Sequence, residues 1–286
     1  MLQILKKKLA DYQKYGNLPT IQILITSKYT IRQYYQKVKR NYENILDLID
    51  WMAYPFSNCC PICHAPDCAR FIGCYERGVI DEKSHYYEDF PVPRFLCQGK
   101  GTFKSVPDKT FSLLHYHLVP YWKYSIPFIF RVLKARYIDD ITLANLLNHI
   151  FDFTHLNQNQ DQNQDQYYVE LSPSRFFDFC QLLIQAIAKI MVIDRAKANE
   201  YFRGIKAQLQ TPDQKQLMKA FILFAMDFSC DKVSYPSPIR GPSALSYDFY
   251  LHGGSYFRNS YFLFGTPSQF RKKQATDNRK QAVVSS

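Results

Sequence analysis

Cys60-Pro61-Ile62-Cys63 constrains this chain more than any other stretch. Two thiols separated by two residues, one of them proline, make one turn of a metal-binding knuckle, and such a turn is half of a site. A closed site needs four thiolates or imidazoles meeting at tetrahedral angles, each about 2.0–2.3 Å from the ion. The other half is expected on a hairpin downstream, and Arg94-Phe95-Leu96-Cys97-Gln98-Gly99-Lys100-Gly101-Thr102-Phe103 has that form. Lys100 stands there at the spacing of the fourth cysteine. An ammonium cannot ligate until it loses its proton. Cys60, Cys63 and Cys97 are therefore the expected zinc ligands, and the fourth position is open to Cys68, Cys74 or a water. Cys59, with three residues between it and Cys63, is the poorer knuckle partner.

Six of the eight cysteines lie between 59 and 97. No apolar stretch or small-residue cleavage site follows the basic Lys6–Lys8, so a cytoplasmic address is expected, where thiols ligate metals or stay free rather than pair. No run reaches the ~18 apolar residues of a membrane helix. Leu182–Ile193 comes nearest and contains Gln185 and Lys189. No membrane partner is expected.

The net charge of +11 is unevenly spread. Residues 1–40 hold nine basic residues against Asp11 alone. Residues 101–136 hold six (Lys104, Lys109, Lys123, Arg131, Lys134, Arg136) against Asp108, and the tail from Arg271 holds five against Asp277. Clustered cations among 22 Tyr, 22 Phe and 2 Trp suit a nucleic-acid backbone, because Lys and Arg displace its condensed counterions.

The expected organisation is α+β, a small ribbon-like β domain with a mainly helical body. Residues 1–54 read as a basic lead-in, with a short strand at Ile21–Ile25 and a helix from Thr30 to Trp51. Residues 55–122 read as the ribbon. Its strands are Tyr86–Phe90 and Arg94–Cys97, confined to sheet edges by Pro91 and Pro93. Residues 123–230 read as helices at Ile126–Arg136, at Ile141–Phe151 with Asp139 or Asp140 as its cap, at Pro173–Ile193, and from Thr211-Pro212 to about Phe228. Ser172-Pro173 has the form of a helix start. The Asn/Gln-rich segment 157–166 has no apolar side chain and reads as a disordered insertion. Residues 231–286 read as a linker and a basic tail.

Cys60-Pro61-Ile62-Cys63, Val92-Pro93-Arg94-Phe95-Leu96-Cys97, Lys109-Thr110-Phe111-Ser112-Leu113-Leu114 and Pro120-Tyr121-Trp122-Lys123-Tyr124-Ser125 together resemble a family of uncharacterised bacterial proteins associated with insertion sequences. That transposase-like family carries a zinc-ribbon-like domain followed by a helix-turn-helix. The resemblance covers roughly residues 58–185 and extends weakly to Leu171-Ser172-Pro173-Ser174, the start of the family's recognition helix. It implies a DNA-binding protein. Phosphate contacts would come from Lys104, Lys109, Lys123, Arg131, Lys134 and Arg136, and base contacts from Ser174 and Arg175. This chain departs from the pattern at Lys100, at His64 where a glycine with positive φ is expected, at His115 and His117, and at the insertion. Those departures mark a degenerate member. A protein-interaction module and an inactive relic of a mobile element are the rival readings.

No catalytic centre is expected. Glu76, Asp81, Glu82 and Glu88 near the cysteines have no motif spacing. Asp139, Asp140, Asp152, Asp178, Asp194, Asp213 and Asp227 fall in helical patterns or at caps, whereas two-metal phosphoryl transfer needs converging acids. His115 and His117 share a face if the chain is extended there, and read as satisfied histidines rather than ligands.

Overall fold

The computed structural model describes residues 20–40, 42–48, 59–100, 110–150, 173–193, 213–230, 239–252 and 262–264. Residues 1–19, Lys104, Lys109, Asp152, Ser172, Asp194, the insertion at 157–166 and the tail from Arg271 lie outside them. The fold is α+β, and the described residues form two compact units. The first is drawn from Met1–Val79 and Tyr87–Leu118, the second from Ile80–Tyr86, Val119–His252 and Asn259–Ser286.

The first unit is built on a four-stranded sheet. Its strands are β1 (Thr20–Ile25), β2 (Ala69–Ile80), β3 (Tyr86–Cys97) and β4 (Thr110–His115), in the order β1-β4-β3-β2. β1 runs parallel to β4, and β3 antiparallel to it. The lead-in is thus no separate segment. β1 pairs with a strand about ninety residues away, Ile23 beside Leu113. Phe95 is the partner of Phe111, and their rings stack at 5.1 Å. Gln22 Nε2 donates to Tyr75 Oη at 3.3 Å. These residues belong to the strands at opposite ends of the order, so the sheet is curled.

Pro91 and Pro93 do not break β3 or hold it to an edge. β3 runs unbroken between two neighbours. Its pairs with β4 are at Arg94, Phe95 and Leu96, beyond both prolines, so neither missing N–H is asked of that ladder.

Helix α1 (Ile31–Arg40) starts at a reciprocal cap. Thr30 Oγ1 accepts from Gln33 N–H at 3.2 Å, and Gln33 Oε1 accepts from Thr30 N–H at 3.1 Å. Ile31, Tyr34, Tyr35 and Val38 are buried, and Tyr34 stacks on Phe90 at 5.4 Å. The periodicity that predicts one helix to Trp51 is interrupted. A 3-10 turn at Tyr42–Leu48 takes over and still buries Ile45.

The second unit is helical. α2 (Ile126–Tyr137) lies at its centre and packs against α3 (Leu143–Ile150), α4 (Pro173–Ile193), α5 (Gln214–Asp227) and α6 (Pro242–His252). Ser125 caps α2, its hydroxyl accepting from Phe128 N–H at 3.3 Å. Neither Asp139 nor Asp140 caps α3. Lys134 holds Asp139 at 2.8 Å, and α3 begins later, with Thr142 Oγ1 accepting from Asn145 N–H at 3.3 Å. The segment read as a linker contributes to the core. β5 (Ser229–Cys230) pairs with β6 (Ile239–Arg240), and α6 buries Ala244, Leu245, Tyr247 and Phe249. Gly241, at φ 82°, makes the turn between β6 and α6. α4 buries Phe176, Phe179, Leu182, Leu183, Ala186 and Ile187, and Phe179 touches the rings of Trp122, Tyr124 and Phe128.

Candidate metal centre

Four sulfurs converge at one end of the β2–β3 hairpin. The Sγ atoms of Cys60, Cys63, Cys68 and Cys97 all lie within 4.8 Å of one another, and all four residues are buried. Cys63 Sγ is 3.2 Å from Cys68 Sγ, and Cys68 Sγ is 3.7 Å from Cys97 Sγ. A tetrahedral ion with Zn–S bonds of about 2.3 Å places its sulfurs about 3.8 Å apart, so the cluster is close to that size. These separations are far from the ~2.05 Å of a disulfide, and all eight cysteines are free thiols.

Local backbone geometry explains the convergence. Cys60 N–H donates to Ala65 O at 2.9 Å, and His64 N–H donates to Cys60 O at 2.8 Å, which closes the turn. His64 takes the left-handed conformation expected at that position, φ 58°. Cys68 arrives through the hairpin. Asp81 N–H donates to His85 O near its tip, and Gln98 N–H donates to Cys68 O at its base. Thirteen residues separate these pairs on each strand, so one register holds throughout. That register sets Cys68 beside Cys97. It also excludes Cys74, which lies six residues further along β2, about 20 Å at strand rise.

Lys100 occupies the spacing of the missing ligand but does not enter the cluster. Its ammonium is exposed and donates to Asp67 O at 3.0 Å, next to Cys68. It therefore ties the loop carrying Cys68 to the loop carrying Cys97.

The donor set suits a soft cation. Burial pushes the Cys60 and Cys97 thiols up from their ordinary range. The amides of Cys63 and Ile62 on the Cys60 sulfur, and of Gly99 on the Cys97 sulfur, pull the other way by stabilising thiolate. Gly99 N–H lies 3.4 Å from Cys97 Sγ. A bound divalent ion reverses the effect of burial, because it supplies the positive charge that a dry thiolate lacks. Four sulfurs also leave no open coordination position, the arrangement of a structural rather than a catalytic ion.

His115 and His117 form no part of the centre. Residues 116 and 117 turn at the end of β4, and the two rings lie 5.0 Å apart. His117 N–H donates to His115 Nδ1 at 3.3 Å, so the His115 proton sits on Nε2, which donates to Tyr29 O at 3.0 Å. Burial holds the His115 pKa down at about 4 and also lowers that of His117.

Of the expected DNA contacts, Lys104 and Lys109 lie outside the described residues; Lys123, Arg131, Lys134, Arg136, Ser174 and Arg175 belong to the second unit, and four of them are engaged within it. Arg131 Nη1 donates to Glu82 O at 2.8 Å and to Ser84 Oγ at 3.3 Å. Lys134 holds Asp139, and Arg136 donates to Ile141 O at 3.3 Å. Arg175, exposed in the first turn of α4, pairs with Asp178 at 3.3 Å. Lys123 is close enough to Arg175 to feel its charge, and its ammonium lies 5.3 Å from the Tyr124 ring. Ser174 belongs to the same first turn of α4. Of the acids, Asp81 is fully buried. It accepts from the amides of Lys83 and His85 at 2.9 Å and meets His85 Nδ1 at 3.2 Å, which folds the hairpin tip. Among the described residues, the four cysteines are the one group of His, Cys, Asp and Glu placed to hold a metal ion. Among them too, no helix is long and apolar enough to cross a membrane.

The sequence pattern points to three of the four cysteines outright and leaves the fourth position among Cys68, Cys74 and a water. The signal that separates them is the hairpin register, which needs the position of the Asp81–His85 turn. Comparison with protein-family models, with curated proteins and with solved structures finds no match.

Proposed function

We propose that Cys60, Cys63, Cys68 and Cys97 bind a structural zinc ion, and that the protein is a DNA-binding component of an insertion-sequence-associated system without a catalytic centre. The observation that carries the metal reading is the buried four-sulfur cluster. Zinc is favoured over other soft cations because a tetrahedral four-thiolate set with knuckle turns is its usual structural site. Bound there, it would fix the Cys60–Cys68 loop to the end of β3 and so stabilise one end of the sheet. Support for DNA comes from the net charge of +11 and from the resemblance at the cysteine and Phe111-Ser112-Leu113-Leu114 motifs.

Elemental analysis of protein purified under reducing conditions tests the metal. About one zinc per chain is expected, lost in Cys60→Ser and kept in Cys74→Ser. Far less than one zinc, with no response to a chelator, rejects it. Binding of labelled duplex that weakens steeply with salt supports the DNA reading, and a flat dependence favours a protein-interaction module.

A further inference from the structure

We infer that the nucleic-acid contact surface lies on the exposed face of α1 and the loop before it, with Lys28, Arg32 and Lys37 as the phosphate-binding cations. The inference rests on the DNA reading above and moves its surface to the unit that carries the cysteines.

The first observation is which cations have no carboxylate, carbonyl or hydroxyl partner. Arg131, Lys134, Arg136 and Arg175 are each engaged by a carbonyl, hydroxyl or carboxylate of their own unit. Lys28, Arg32 and Lys37 are exposed, and among the described residues no carboxylate, carbonyl or hydroxyl engages their side chains; Lys28 and Lys37 lie over the Tyr29 ring. A cation already paired must give up its partner to meet a phosphate, whereas one exposed to solvent or lying over a ring still has its N–H donors open to water.

The second is geometry. Tyr29, Arg32, Gln33, Gln36 and Lys37 recur at helical spacing and stand on the face opposite the buried Ile31, Tyr34 and Val38. The Lys28 and Lys37 ammoniums lie 5.3 Å and 4.9 Å from the Tyr29 ring centroid, one from the loop and one from the helix. The patch is built on a fixed base. Tyr29 N–H donates to Ser27 Oγ at 3.1 Å, Tyr29 O accepts from the buried His115, and the Thr30–Gln33 cap locks the first turn. Cations held in place lose less freedom when they bind.

The third is what the face lacks. A helix that lies on a membrane offers an apolar side to the lipid. The apolar side of α1 is packed inside its own unit, and the exposed large apolar residues described are Phe177, Leu223 and Met226, all in the second unit. A polar, cationic face with one aromatic ring matches a phosphate backbone rather than an acyl interface.

The test is fluorescence anisotropy with a labelled mixed-sequence duplex across a salt series. It uses wild type, the triple variant Lys28→Gln/Arg32→Gln/Lys37→Gln, and the charge-preserving Lys28→Arg/Arg32→Lys/Lys37→Arg. Losing three phosphate contacts should make the log–log salt slope shallower by about 2.7, equivalent to about 500-fold weaker binding at 0.1 M salt. The charge-preserving variant and Lys219→Gln, on the exposed side of α5, should keep the wild-type slope. If wild type binds steeply and the Gln variant matches it, the surface is wrong and the DNA reading stands. If wild type shows no salt-dependent duplex binding, both fall. If wild type instead binds phosphatidylserine vesicles and the Gln variant does not, the partner is an anionic membrane and the inference is overturned.

Discussion

His115 should make the first unit sensitive to acid. It is buried at the end of β4, with its Nε2–H bonded to Tyr29 O and its Nδ1 accepting from His117 N–H. Both ring nitrogens are used in the neutral form, so a proton added at Nδ1 has no acceptor and displaces an existing hydrogen bond. Burial accordingly lowers its pKa from 6.5 to about 4. Above pH 6.5 the ring is neutral in both states and stability is unaffected by it. As pH falls below 6.5 the unfolded chain takes up the proton and the folded chain does not, so stability falls, and the fall ends near pH 4. Each pH unit crossed in that window costs about 1.36 kcal/mol, so the loss across it is about 3 kcal/mol from this group alone. His117, lowered by burial and by its neighbour, adds to the same trend. The assay is urea unfolding of wild type and His115→Gln at pH 7.5, 6, 5 and 4. The carboxylates and the cysteine cluster titrate in both proteins and cancel in the difference. Wild type should lose about 3 kcal/mol more than the variant between pH 7.5 and pH 4. Parallel curves would refute the argument, because they would mean that residue 115 meets water in the folded state.

Phe179→Ala should destabilise the second unit by about 3–5 kcal/mol, because the ring is fully buried against three other aromatic rings and the space cannot close. Denaturant unfolding followed by tryptophan fluorescence reads it, and a loss under 1 kcal/mol would contradict the packing described. Thr30→Ala removes one arm of the α1 cap and should cost about 1 kcal/mol in the first unit. An unchanged unfolding midpoint would show that the turn is held by other contacts.

How much was legible follows from the range over which each signal acts. The Pro173–Ile193 helix, the Ile126–Arg136 helix and the Cys60–Cys63 turn are set by residues within a few positions of one another, and the pattern shows them. The positive φ at His64 is expected from the resemblance, which puts a glycine at that position. The parallel pairing of β1 with β4 joins residues about ninety apart, and nothing in Thr20–Ile25 announces its partner. α6 was hidden by composition. Pro242, Ser243 and Ser246 read as linker residues, yet proline fits a first helical turn and small serines fit where helices approach closely, so Ser243 and Ser246 end up buried. Pro91 and Pro93 misled because the edge rule concerns ladder hydrogen bonds, and the β3–β4 pairs lie beyond both.

Lys100 shows how the cluster is closed, and it yields the sharpest test of the geometry. In the first knuckle the amide of Ile62, two residues after Cys60, faces the Cys60 sulfur, and Cys63 supplies the next ligand. In the second the amide of Gly99, two residues after Cys97, faces the Cys97 sulfur at 3.4 Å, so residue 100 occupies the place equivalent to Cys63. The two loops share that amide placement but not the backbone: Gly99 has φ 67°, whereas Ile62 has no positive φ, and the left-handed residue of the first loop is His64. The fourth thiol has instead come from Cys68, and the Lys100 side chain leads away to Asp67 O. Two positions are thus within reach of one corner of the tetrahedron. Cys68→Ser should weaken zinc binding by more than the 10–100-fold that loss of a ligand's outer hydrogen-bond partner typically costs. Adding Lys100→Cys to it should restore part of the affinity, because the new thiol stands at Cys-x-x-Cys spacing from Cys97, in a loop whose Gly99 amide already faces the Cys97 sulfur. The readout is competition with a chromophoric chelator, with cobalt substitution reporting four-thiolate coordination by its absorption. If Cys68→Ser/Lys100→Cys binds no better than Cys68→Ser, the second loop is not a knuckle in its geometry, and the cluster belongs to the Cys60–Cys68 loop with Cys97 as its single outside ligand.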